Sequence, residues 1–307
     1  MRRRLLPVAL AVAAGACTTP APGPQVPDEA PARTERRVIV SSFDFPESEL
    51  LGELYAGALE RAGIDVHREL LLGSREVVTP ALEQGLVDVL PEYLGTALVA
   101  LEPEAEASTE VDEARERLVE AYRPLGVAVL EPSAAEDENA VVVTTNTALV
   151  HGLRTTSDLA DFDDAFRFGG PAECPRRPFC LLGLEQVYDL RFGEFVPLDT
   201  GGPLTVAALR GDEVDVGLLF STDPNLAEGG DLVALDDDRS LQPAENVTPA
   251  VRREVLEREG DRLTDALHAV SAGLTTAGLR RLNRQVVLDG REPAEVAAAW
   301  LAERGAG

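Results

Sequence analysis

The sequence predicts an α/β protein of two lobes, each a sheet covered by helices, and three observations carry that prediction. Short β-rich runs alternate with stretches of helical spacing from Val38 onward, the pattern of sheets packed under helices. The chain has 307 residues, enough for two cores at roughly 150 residues per domain. The two halves also carry a likeness: Ala81-Leu82-Glu83-Gln84-Gly85-Leu86-Val87-Asp88-Val89, reaching Tyr93, parallels Ala208-Leu209-Arg210-Gly211-Asp212-Glu213-Val214-Asp215-Val216, reaching Phe220. In each copy a helix enters a Val-Asp-Val strand that ends on an aromatic. Ligands of open α/β sheets sit beyond the C-terminal ends of the strands, which would put Tyr93 and Phe220 on opposite walls of one cleft. The competing reading closes each ring into its own core, the commonest fate of aromatics.

Element by element, Val38–Ser41 reads as a strand, and Leu50, Leu51, Leu54, Tyr55, Ala58 and Leu59 recur at helical spacing before Gly63, where a helix would stop. Val77, Val78, Ala81 and Leu82 mark a second helix, followed by a strand at Val87–Leu90. A helix over Glu110–Tyr122 and strands at Val127–Leu130 and Val141–Thr144 come next. The second half repeats the rhythm with strands at Phe166–Phe168, Phe195–Leu198 and Val214–Leu219. Beyond Asn246 the pattern is mainly helical: Val255–Ala272, Thr275–Asp289 and Pro293–Trp300.

The first 17 residues read differently. Arg2-Arg3-Arg4, an apolar run from Leu5 to Ala14 and Gly15-Ala16-Cys17 have the order of a secretory signal, and the run is shorter than the about 20 residues a membrane span needs. Small residues directly before Cys17 resemble the lipobox of bacterial lipoproteins, which would make 1–17 a lipoprotein signal and Cys17 the lipidated first residue of an extracytoplasmic protein. The Pro- and Ala-rich stretch 18–36 cannot bury a core and reads as a flexible tether. Cys174 and Cys180 are the other two cysteines. In a secreted chain such a close pair predicts a disulfide, and the spacing does not fit a redox motif.

Composition excludes several functions. Acidic residues number 54 against 28 basic, a formal net charge of -26, the wrong sign for displacing counterions from nucleic acid. All the basic residues are arginine, so lysine chemistry, from phosphate loops to Schiff bases, is absent. His67, His151 and His268 are too dispersed for a metal motif, and no Gly-x-Ser-x-Gly elbow occurs. Glu102-Pro103-Glu104 and Asp236-Asp237-Asp238 read as solvated charge runs rather than acid–base pairs. The reading is therefore a non-enzyme with no cofactor and no metal.

Leu51-Gly52-Glu53-Leu54-Tyr55, Leu72-Gly73-Ser74-Arg75-Glu76, Asp88 with Pro91-Glu92-Tyr93-Leu94-Gly95-Thr96, and Phe220-Ser221-Thr222-Asp223 resemble the glycine betaine, choline and carnitine-binding proteins of osmoprotectant ABC importers, across roughly residues 37 to 303. The resemblance implies a type II periplasmic-binding-protein fold: lobe I from 37–136 and 221–303, lobe II from 137–220, a ligand cleft between them. It further implies a monomer, lipid-anchored on the outer face of the cytoplasmic membrane, that hands a small osmolyte to permease and ATPase subunits. Relatives grip a quaternary ammonium group between aromatic rings, a cation-π contact that strengthens when dry. Carried over, the ring positions fall on Tyr93, Asn139, Val206 and Phe220, with Phe43 able to supply a further ring. Thr96 matches a position that binds with its hydroxyl, Asp137 a polar neighbour of the rings, and Arg177 an arginine that holds a carboxylate. The alternative is a sensory or structural lipoprotein that keeps this fold for a different small ligand.

Overall fold

A computed structural model describes residues 37–304 except 104, 106, 107, 163 and 228. The signal 1–17, its Cys17 and the tether 18–36 lie outside the described residues. The chain runs β1 (Val38–Phe43), α1 (Pro46–Arg61), β2 (Val66–Gly73), α2 (Arg75–Glu83), β3 (Val89–Tyr93), α3 (Leu94–Leu101), α4 (Val111–Tyr122) and β4 (Val127–Val129). It continues through β5 (Asn139–Thr144), α5 (Thr145–His151), β6 (Arg167–Pro171), α6 (Leu181–Tyr188), β7 (Glu194–Leu198), α7 (Pro203–Arg210), β8 (Val216–Phe220) and β9 (Leu232–Ala234). It ends with β10 (Val247–Arg252), α8 (Arg253–Glu259), α9 (Asp261–Gly273), α10 (Thr276–Val287) and α11 (Pro293–Arg304). None of these helices is long and apolar enough to cross a membrane.

Two five-stranded sheets result, in the orders β2-β1-β3-β10-β4 and β7-β6-β8-β5-β9. The orders follow one plan. Three strands pair in parallel, the fourth is antiparallel to its neighbours, and a short antiparallel strand forms the edge. In both sheets the antiparallel member, β5 or β10, is the strand that arrives directly from the other lobe. The first sheet packs under α1, α9 and α11 around Leu50, Leu54, Tyr55 and Leu267, all fully buried, while the second encloses a smaller core around Phe168, Leu184 and Tyr188.

Local chemistry explains the boundaries. Pro46 fits the first helical turn of α1, where its missing N–H costs nothing, and Glu47 and Glu49 sit near the positive end of the helix. The helix stops before Gly63 at φ +79°, a conformation that favours glycine. The helix expected over Val255–Ala272 is two, because Gly260 at φ 61°, ψ -143° breaks it. Helix α3 and strands β2, β9 and β10 were not anticipated. In β10, Val247–Val251 is buried throughout, and its position between β3 and β4 adds a strand to the region beyond Asn246 that reads as mainly helical. The lobe assignment also changes. Leu232–Ala234 pairs with Val142–Thr144 of β5, so the chain after Phe220 still contributes to the second sheet and 221–303 does not belong wholly to the first lobe.

Two segments connect the sheets and bond to each other. Ser133 N donates to Val247 O at 2.8 Å, Val247 N to Ala135 O at 2.9 Å, and Asp137 N to Glu245 O at 3.1 Å. This short antiparallel ribbon forms the base of the cleft.

Candidate functional site

The duplicated unit builds the two walls in the same way. Asp88 exchanges bonds with Ile39 at the start of β1, its amide donating to Ile39 O at 2.8 Å and its Oδ2 accepting from Ile39 N at 2.9 Å. Asp215 repeats the exchange with Arg167 at the start of β6, at 3.0 Å and 2.8 Å. Each aspartate thus sets its strand against the parallel neighbour, and the aromatic ends at the sheet's C-terminal edge. Between these edges lies a cavity of about 950 Å³.

Tyr93, Phe220, Phe43 and Phe45 form one aromatic group on its wall. Phe45 is central, with ring centroids 6.2 Å from Phe43, 6.1 Å from Tyr93 and 5.1 Å from Phe220. Sequence reasoning missed Phe45. The signal was the Phe43-Asp44-Phe45 alternation leading into Pro46, which turns both rings to one side as the strand ends. Gly201, at φ +60°, lies against Phe220; a Cβ there would come within 2.5 Å of the ring, so only glycine leaves the ring its seat.

Of the residues expected to bind ligand, Phe43, Tyr93, Thr96, Asp137, Asn139, Arg177 and Phe220 line the cavity. Val206 does not. It is 6% exposed and faces the core of the second sheet with Val142, Leu209 and Leu219, because its side of α7 is the apolar one. Asn139 is committed to structure: its Nδ2 donates to Phe179 O at 3.1 Å and to Gln242 Oε1 at 3.2 Å, tying β5 to the disulfide loop. Cys174 and Cys180 are joined, with Cα atoms 5.2 Å apart. The aspartate run is not merely solvated, since Asp237 accepts from Tyr188 Oη, Leu241 N and Gln242 N.

A buried polar network underlies the rings. Tyr93 Oη donates to Glu47 Oε1 at 3.0 Å. Thr222 Oγ1 lies 2.5 Å from Glu47 Oε2 and 2.6 Å from Asp137 Oδ1. One hydroxyl proton serves only one carboxylate, so a second proton must reside on the pair. Burial, and for Asp137 the facing Glu47, accordingly push both carboxyls up. Arg75, one residue into α2, reaches Glu92 Oε2 at 2.5 Å and lies 4.6 Å over the Phe43 ring. Glu92 also accepts from Tyr122 Oη at 2.9 Å.

At the base, Glu245 Oε1 accepts from Thr96 N at 2.9 Å and from Thr96 Oγ1. Gly95 permits this approach, because a Cβ there would stand 2.3 Å from Pro243 Cγ. Burial pushes Glu245 up to about 8. At the mouth, Arg177 Nη2 donates to Glu76 Oε2 at 3.0 Å and Oε1 at 3.2 Å, bridging the disulfide loop of the second lobe to α2 of the first. Arg75, Glu76 and Glu245 were not predicted as site residues, since only the fold brings them together.

The chain resembles proteins built on this plan. It is 27% identical over 285 residues to the glycine betaine-binding protein YehZ of Escherichia coli, covering 90% of this chain and 93% of that one. It is also 27% identical over 270 residues to a glycine-betaine-binding protein of Pseudomonas aeruginosa, covering 84% and 85%. A solved glycine betaine/carnitine/choline ABC transporter structure superposes with a TM-score of 0.69 at 25% identity, covering 87% of this chain and 98% of that one. A family model described as the substrate binding domain of ABC-type glycine betaine transport systems matches residues 36–303, and the chain belongs to that family of ABC-transporter substrate-binding proteins.

Proposed function

We propose that the cleft captures a small quaternary-ammonium or zwitterionic osmolyte of the glycine betaine, choline or carnitine kind and presents it to the permease and ATPase of an importer. The observation that carries this is the group of four rings, Phe43, Phe45, Tyr93 and Phe220, on the cavity wall. Aromatic faces attract a cation that has given up water, and Asp44, Glu76, Glu83 and Glu102 on the walls, against three arginines, favour a positive charge even with Asp137 and Glu245 left out of the count. The names of the similar proteins support the same class. The protein acts by binding alone, as a monomer, held outside the cytoplasmic membrane by lipid on Cys17; Cys17→Ser should release it from the membrane fraction. Binding would draw the lobes together through contacts made to both. Titration calorimetry with glycine betaine, choline and carnitine tests the reading, which fails if none of them binds.

A further inference from the structure

Three of the polar groups on the walls that could hold a ligand's carboxylate are already engaged by acidic side chains of the chain. Arg177 is bonded to Glu76 at 3.0 and 3.2 Å. Arg75 is bonded to Glu92 in the interior, their side chains 10% and 0% exposed. Thr96 directs both its N–H and its O–H to Glu245 Oε1. A zwitterion entering this cleft would have to displace one of these partners, turn to Arg176 at the exposed mouth, or leave its own carboxylate desolvated without a donor, which is costly. A cation with no carboxylate meets no such obstacle and keeps the aromatic wall. We infer that Glu76 and Glu245 are specificity-determining residues that occupy Arg177 and Thr96 and so select ammonium cations lacking a carboxylate over zwitterions. The inference rests on the reading of the cleft as an ammonium site and narrows its ligand class.

The pairs differ in how firmly they exclude. The Glu92–Arg75 pair is sealed inside, whereas Glu76 is more than half exposed and the weakest of the three guards, because exposed ion pairs contribute little. Arg176, exposed at the same mouth, is the one wall arginine without an ion pair among the described residues and the remaining route by which a carboxylate could be held.

Titration of the purified protein with choline, tetramethylammonium and glycine betaine, at one pH and ionic strength, reads the selectivity. Choline and tetramethylammonium should bind about tenfold or more tightly than glycine betaine, and E76Q, which removes the charge from Arg177, or E245A, which removes the acceptor from Thr96, should shift the betaine-to-choline affinity ratio about fivefold toward betaine. A general loss of structure would weaken all three ligands together and leave the ratio unmoved. In the E76Q background, R177A should then reduce betaine affinity while the same change in the parent does so much less. Glycine betaine binding the parent as tightly as choline would overturn the inference, as would a ratio unmoved in both variants. Betaine affinity that falls on R176A in the parent would also overturn it by placing the carboxylate elsewhere. Failure of all three ligands to bind defeats the ammonium-site reading itself, an outcome distinct from betaine binding well.

Discussion

The Tyr93 wall and the Phe220 wall grow from the same sequence unit and end in different chemistry. Both strands leave an aspartate bonded to the neighbouring strand and both finish on an aromatic. Tyr93 is nearly buried, its hydroxyl fixed by Glu47 above a network of Glu92, Arg75, Tyr122 and Glu245. Phe220 is half-buried, carries no polar tip, and rests on Gly201 and Phe45. One strand grammar therefore sets where the two rings stand, while the surrounding residues decide that one wall is electrostatically stiff and the other is apolar and open to adjustment.

The comparison breaks most visibly at Arg75. Arg75→Ala leaves Glu92 buried without its cation, which should cost about 3–5 kcal/mol of stability, read as a lower denaturant midpoint. Phe220→Ala removes only apolar contacts of a half-buried ring and should cost less. Should the two variants unfold at the same midpoint, the stiff-wall picture is wrong.

The same network should make stability depend on pH. Burial raises Glu245 to about 8, so the native chain keeps a proton there that the unfolded chain loses near its ordinary value of 4.5. Stability should fall as pH rises between those values, because the native state binds more protons throughout the window. Glu47 and Asp137, raised by burial, act in the same direction. Glu60, held low by its hydrogen bond to Arg68, acts oppositely and only at lower pH. Melting temperature should decline from mildly acidic to mildly alkaline pH, and Glu245→Gln should flatten the decline; an unchanged slope in that variant would remove Glu245 from the account.

The walls differ again in what they offer a ligand. Tyr93→Ala and Phe220→Ala should each weaken an ammonium ligand by about 1–2 kcal/mol if the cation-π contact is the grip. Tyr93→Phe keeps the ring and loses the bond to Glu47, so it should retain affinity while losing about 1 kcal/mol of stability. Calorimetry and melting on the same samples separate the two effects.

The fold was legible where periodicity and punctuation agree, as in α1, with Pro46 before it and Gly63 after it. The duplicated unit was legible because its aspartates and aromatics keep their spacing. What stayed hidden depended on partners distant in sequence. Strand β10 follows directly on a crossing, and its short apolar run Val247–Val251 reads equally well as the approach to a helix. Val206 fell on a ring position through the family resemblance, yet its helical neighbours Leu209 and Ala208 belong to the inner face that buries it. Arg177 stands at the mouth of the cleft, but its partner Glu76 is 101 residues away, a distance no local pattern bridges.

The smallest expected effect tests the duplicated unit directly. Asp88 and Asp215 perform the same backbone exchange, but Asp88 is buried, whereas the Asp215 side chain is 28% exposed and also paired with Arg167. Replacing Asp88 by Ala deprives the Ile39 N–H of an acceptor at a position where the side chain is buried and water enters less readily, a loss of about 1–3 kcal/mol. Replacing Asp215 by Ala lets water reach the Arg167 N–H and breaks a partly exposed ion pair, a loss of about 1 kcal/mol or less. Urea unfolding of the two variants should therefore differ by about 1 kcal/mol, with Asp88→Ala the weaker protein. Equal losses would mean that the exchange itself, rather than its burial, sets the energy, and the two units would then be alike in energy although one aspartate is buried and the other is not.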